Sequence, residues 1–151
     1  TWLPTSPSSS SSSSSPDPQR GWFKFTLNVM CSITIPCHYD QKYIHYVKYW
    51  CKGFWDFCKY AARTDKTMGT KTSISDDLIR RVFTVTMTDL TPADSDYYWC
   101  AVEINKGPDI RIQRFYLSIT VKPHSVTTLS TTTNHSEYAS IHCLFVCNLF
   151  L

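Results

Sequence analysis

Glycine is scarce, with only four in 151 residues, and charged residues make up 18% of the chain. That excludes collagen-like material and argues against a coiled coil. No Gly-rich phosphate loop, His-Glu-x-x-His or Gly-x-Ser-x-Gly motif occurs, so an enzyme is not expected. A basic run or basic helix is missing too. All 15 Lys and Arg fall between Arg20 and Lys122, where ten of the 12 acids are interleaved with them, leaving that block a formal +5. Nucleic acid is therefore not an expected partner. The first eighteen residues have neither the basic nor the apolar region of a signal peptide. No apolar run reaches the roughly 20 residues that span a bilayer as a helix; the final one, Ala139 to Leu151, has thirteen. A large multidomain enzyme is excluded by length alone.

What is present is a dense middle and two low-complexity flanks. Hydrophobic residues (42%) and aromatics (15%) supply a core of about 100 residues. Residues 1–20 hold eight consecutive serines, Ser8 to Ser15, and are expected to be disordered because nothing there offsets the entropy of ordering. Beginning at Thr1 rather than Met, the sequence reads as a fragment or an imperfect gene model. Residues 21–122 form the expected domain. Residues 123–138 read as a Ser/Thr-rich stalk, since nine of the seventeen residues His124 to Ser140 are Ser or Thr. It carries a glycosylation acceptor pattern at Asn134, the alternative being an unmodified tail. For the apolar segment 139–151 two readings stand: the start of a membrane anchor, or a frame or splice artefact.

Within the middle block the hydrophobic period is two. Cys31, Ile33, Ile35 and Cys37 share one parity, as do Phe83, Val85 and Met87. Tyr98, Cys100, Val102 and Ile104 form a third set, and Phe115, Leu117, Ile119 and Val121 a fourth. Each lines one face of a half-buried strand. Polar stretches such as Asp65 to Asp77 and the tip Asn105 to Asp109 lie between them. Ile110 and Ile112 are out of phase with Phe115 onward, which predicts a bulge in the last strand. The expected fold is all-β, a sandwich of two antiparallel sheets.

Seven cysteines are too few for a knottin-like scaffold and too many to be incidental in a cytosolic protein. The odd number leaves at least one unpaired, intermolecular or outside the folded unit. Cys37, His38, His45, Cys51 and Cys58 do not match the spacing of a compact zinc set, and disulfides account for the same cysteines. Trp50 follows Cys37 by thirteen residues and Tyr98 stands two before Cys100. This spacing resembles the Cys, Trp, Tyr-x-Cys arrangement of an immunoglobulin domain.

The segments Ser32 to Asp40, Val47 to Lys52, Ser73 to Asp77 and Arg81 to Leu90 sharpen that resemblance. They are similar to the V-set domains of the polymeric immunoglobulin receptor and of the related leukocyte mono-immunoglobulin-like (CMRF-type) receptors, over about 90 residues. The resemblance implies a Cys37–Cys100 disulfide between the sheets, worth about 4.3 kcal/mol in the chain-entropy account, with Trp50 packed on it. It also implies a tyrosine corner at Tyr98 and an ion pair between Asp94 and Lys71, worth no more than about 1 kcal/mol if exposed. Its most specific mark is a second disulfide, Cys51–Cys58, worth about 2.5 kcal/mol. Three departures stand out: Leu27 to Cys31 replaces a Gly-containing turn, Asp96 replaces Gly, and Lys71 replaces Arg. Cys31 has no partner in the family and is expected to be a buried free thiol, an intermolecular bond being the alternative.

By the same resemblance the chain is the ligand-binding ectodomain of an immune receptor at the plasma membrane, a single-pass protein with its domain outside the cell. A secreted form is the other option. Candidate contact residues are His38, Asp40 and His45 in the loop between strands B and C, and Asn105 and Asp109 between F and G. Phe54, Trp55 and Phe57 beside the second disulfide are contacts or packing beneath the hairpin. Family members recognise polar lipid headgroups or immunoglobulin chains. No cofactor is expected, although Asp40 and Asp109 offer carboxylates that suit Ca²⁺. Signalling would run through an adaptor and segments outside this sequence. The alternative function is an immunoglobulin-binding transport or scavenging module.

Overall fold

The computed structural model describes residues 22–121, 132–136 and 139–143. The expected disorder of residues 1–20 lies outside them. Ten strands form two five-stranded sheets. The first contains β1 (Trp22–Asn28), β8 (Ile110–Thr120), β7 (Asp96–Val102), β3 (Lys48–Lys52) and β4 (Lys59–Arg63), in that order. β1 runs parallel to β8, and the other pairs are antiparallel. The second sheet is ordered β5 (Thr72–Asp77), β6 (Val82–Met87), β2 (Cys31–His38), β10 (Ala139–Cys143) and β9 (Thr132–Ser136).

The core lies where the period-two pattern directs it. Ile33, Ile35, Phe83, Val85, Leu117 and Cys100 are fully buried between the sheets. Trp50 stacks on Tyr98 with ring centroids 5.1 Å apart and leans on Phe115 at 5.5 Å. The Cys37–Cys100 disulfide joins β2 to β7 and thus the two sheets. The expected bulge falls in β8: Cys100 faces Gln113 and Ala101 faces Arg111, so Ile112 is the extra residue.

The strand ends differ from the pattern at three places. β7 ends at Val102, so Ile104 belongs to the following loop. Val121 lies past β8 and is 69% exposed. Asp65 to Asp77, read as a polar connection, includes β5, an edge strand in which only Ile74 packs against the core. One apolar inward residue in six is too weak a period-two signal to see in sequence.

The largest difference concerns Cys31. It is not a free thiol: it is bonded to Cys143. β10 pairs antiparallel with β2, and the register sets Cys143 directly opposite Cys31. Ala139, at the start of the segment read as a membrane anchor or an artefact, is 2% exposed, and Ile141 and Cys143 pack on the core. The stalk segment contributes β9, which carries Asn134 opposite Ile141. Residues 144–151 lie outside the described residues. Among those described, no helix is long and apolar enough to cross a membrane.

Candidate ligand-binding face

The outward face of the first sheet is built in rungs. Lys24 of β1 faces Tyr116 of β8, which faces Tyr97 of β7. One rung along, Arg114 faces Trp99, and Trp99 faces Cys51 of β3. The next sets Arg111 opposite Ala101, and Ala101 opposite Tyr49. Strand alternation places all these side chains opposite the buried Tyr98, Cys100 and Phe115.

Cys51 and Cys58 are bonded across the turn that follows β3. The bond closes a short loop containing a single 3-10 turn, Trp55–Phe57. Gly53 makes the bend with φ 114° and donates its N–H to Tyr97 O at 2.7 Å. Its carbonyl accepts from Trp99 Nε1 at 3.0 Å, which fixes the indole. Trp55 then packs edge-on against Trp99, centroids 5.4 Å apart, over a small cluster of Tyr49, Cys51, Ala101 and Cys58.

The aromatics named from sequence therefore divide. Trp55 is half-buried packing, whereas Phe54 and Phe57 are 69% and 83% exposed. Arg111 completes the arrangement, its guanidinium carbon 4.5 Å from the Trp55 ring centre and 5.8 Å from that of Trp99. Arg114 lies 5.5 Å from the Trp99 ring, and Lys24 lies 5.9 Å from the Tyr116 ring. Among the described residues neither Lys24 nor Arg111 is within ion-pair distance of a carboxylate. A guanidinium on an indole face, as at Arg111, keeps its in-plane N–H donors available to an anion.

The loop residues have other duties. Asp109 is not a free loop acid: its two oxygens accept from Tyr49 OH at 2.7 Å and Ile104 N–H at 2.9 Å. Burial, then the hydrogen bond to Asp109, raises the Tyr49 hydroxyl well above its ordinary value. Asp40 caps a short 3-10 turn, Gln41–Tyr43, by accepting from Lys42 N–H at 3.0 Å. His38, His45 and Asn105 are exposed. No group of three or more potential metal ligands occurs among the described residues.

At the opposite end of the domain, Tyr98 donates its hydroxyl to Asp94 O at 2.7 Å, the tyrosine-corner bond. Lys71 Nζ is 2.6 Å from Asp94 Oδ2. Burial opposes the Asp94 charge, but Lys71 and the Thr91 N–H outweigh it and hold the carboxyl below its ordinary value.

Sequence reasoning missed one arrangement. Lys48 is fully buried, with Nζ 2.7 Å from Ile44 O, 3.0 Å from Asp76 Oδ2 and 4.3 Å from the Tyr39 ring centre. Tyr39 OH donates to the other Asp76 oxygen at 2.6 Å. Burial and that bond raise the phenol above its ordinary value. The signal was available, since Lys48 shares the parity of inward-facing Trp50. Through Ile44 this triad anchors the loop between β2 and β3.

Known proteins share this framework. The chain is 41% identical over 110 residues to human CMRF35-like molecule 7, covering 68% of this chain and 53% of that protein. It is 37% identical over 107 residues to mouse CMRF35-like molecule 3, covering 68% and 42% respectively. The chain thus spans about half the length of these curated relatives. A solved structure, the second Ig domain of the mouse polymeric immunoglobulin receptor, superposes with a TM-score of 0.58 at 18% identity, covering 68% of this chain and 99% of that one. The likeness to that structure concerns the fold alone. The family model described as immunoglobulin V-set domain matches residues 24–121. With its two-sheet architecture, tyrosine corner and intersheet disulfide, the chain belongs to the immunoglobulin V-set domain family.

Proposed function

We propose that this domain is the ligand-binding ectodomain of a cell-surface immune receptor, and that the outward face of the first sheet carries the ligand. The observation that supports this reading is Arg111 lying over Trp55 of the disulfide-braced loop and Trp99 of β7, without a carboxylate partner among the described residues. The exposed rings of Phe54 and Phe57 adjoin it on the same loop. A cation beside exposed rings fits an anionic lipid headgroup: the phosphate pairs with the guanidinium while the rings enter the interface. Tyr, Trp and Arg are also the residues that dominate protein-binding hot spots. The similarity to CMRF35-like molecules supports the receptor assignment. No resident cofactor forms part of this reading: Asp109 is engaged by Tyr49 and Ile104, and Asp40 caps its own turn.

The domain is tested by surface plasmon resonance against phosphatidylserine liposomes, phosphatidylcholine liposomes and polymeric immunoglobulin. Saturable binding to phosphatidylserine vesicles, lost in Arg111→Ala and unchanged by EDTA, is the expected result. Saturable binding to polymeric immunoglobulin alone would replace this reading with the transport module. Binding that survives Arg111→Ala undiminished would remove the face from the account.

A further inference from the structure

The Cys31–Cys143 bond ties the last described strand to β2, the middle strand of the second sheet. We propose that this bond is a reducible clasp: a dithiol reductant opens it ahead of the other two disulfides, releasing β9 and β10 from the domain.

The three bonds differ in how a thiolate reaches them. Cys37 and Cys100 are 2% and 0% exposed between the sheets, so neither sulfur can be approached from solvent. Cys51 is fully buried and Cys58 half-buried. That pair spans only seven positions and is held by β3 and its turn, so an opened bond recloses at once. Cys143 is half-buried at the very end of β10, while its partner Cys31 is fully buried. The accessible sulfur is therefore the one on the detachable strand.

The chemistry is a two-electron exchange. One thiolate of the reductant attacks Cys143 Sγ and displaces Cys31 Sγ as a thiolate, which takes a proton from water. The second thiolate attacks the mixed disulfide, releasing Cys143, and the reductant leaves as its own disulfide.

The rest of the hold is short: among the described residues four pairs join β10 to β2, with Ala139 fully buried and Ile141 partly buried against the core. Among the described residues β9 pairs with β10 alone, and a two-stranded hairpin by itself is marginal in water. Opening the clasp releases β9 and β10 together. It also leaves β2 with an open edge.

The test treats the 151-residue chain with graded dithiol, traps free thiols by alkylation, and follows amide exchange. Cys31 and Cys143 should become alkylated about tenfold before Cys37, Cys51, Cys58 and Cys100. Amides of residues 140–142 should lose protection together with that step, while the β2–β6 amides keep theirs. Cys143→Ser, which leaves the core disulfide intact, should show the same exposed residues 140–142 without reductant. The proposal is overturned if Cys51–Cys58 opens first, or if residues 140–142 stay protected after reduction or in Cys143→Ser. It is equally overturned if the untreated chain holds Cys31 free or bonded elsewhere.

Discussion

A lysine with no exposed surface anchors the loop between β2 and β3. Lys48 supports Ile44, Asp76 and Tyr39 together. Removing the cation strands Asp76, and breaking one side of a buried pair costs about 3 kcal/mol or more. Lys48→Met should lower unfolding stability by that amount in a denaturant titration, and adding Asp76→Asn should recover part of it. Asp94 gives a pH signature. Its carboxyl titrates below its unfolded value, so its contribution is complete above the ordinary carboxylate range, near pH 4, and fades as pH falls through the folded value. Asp94→Asn should thus be less stable than the parent at pH 7, with the gap closing below about pH 4. Met30 occupies the departure from the family's Gly-containing turn and adopts φ 65° while 54% exposed. A left-handed residue with a Cβ costs about 1 kcal/mol. Met30→Gly should raise the thermal midpoint, since the mostly exposed side chain contributes little packing to the core.

At the level of elements, the braced loop and the bulge cooperate. The bulge at Ile112 shifts the phase of β8, so that Arg111 falls opposite Ala101 and reaches Trp55. Reducing this loop by a Cys51→Ser, Cys58→Ser double change should cost about 2.5 kcal/mol. It should also weaken binding further than stability alone explains, because Trp55 loses its fixed place. The bulge was legible in the sequence as a parity break, and the strands around Cys37, Phe83, Cys100 and Leu117 as clean alternation. β5 was not, since as an edge strand it sends a single apolar side chain inward. β10 was not either: a short apolar run reads equally as the start of a membrane segment or a buried strand, and only register with β2 decides. The roles of Asp109 and Lys48 depend on partners distant in sequence, Tyr49 and Asp76. Residue type alone marked Asp109 as a candidate loop contact and gave Lys48 no role.

For the whole molecule, the two sheets have unlike outer surfaces. The second is extended by chain segments that return after β8 and is fastened at Cys31–Cys143. The first presents Lys24, Arg111 and the exposed rings to solvent. The intersheet disulfide and the stack of Trp50 on Tyr98 keep that face rigid from behind. Rigidity lowers the entropy lost when a ligand is bound. The most direct measurement follows the indole N–H resonances during titration with phosphatidylserine bicelles. Trp55 and Trp99 should shift in a saturable manner while buried Trp50 stays still, and Arg111→Ala should abolish the shifts. Shifts confined to the loops at the sandwich end, with Trp55 and Trp99 unmoved, would contradict the account.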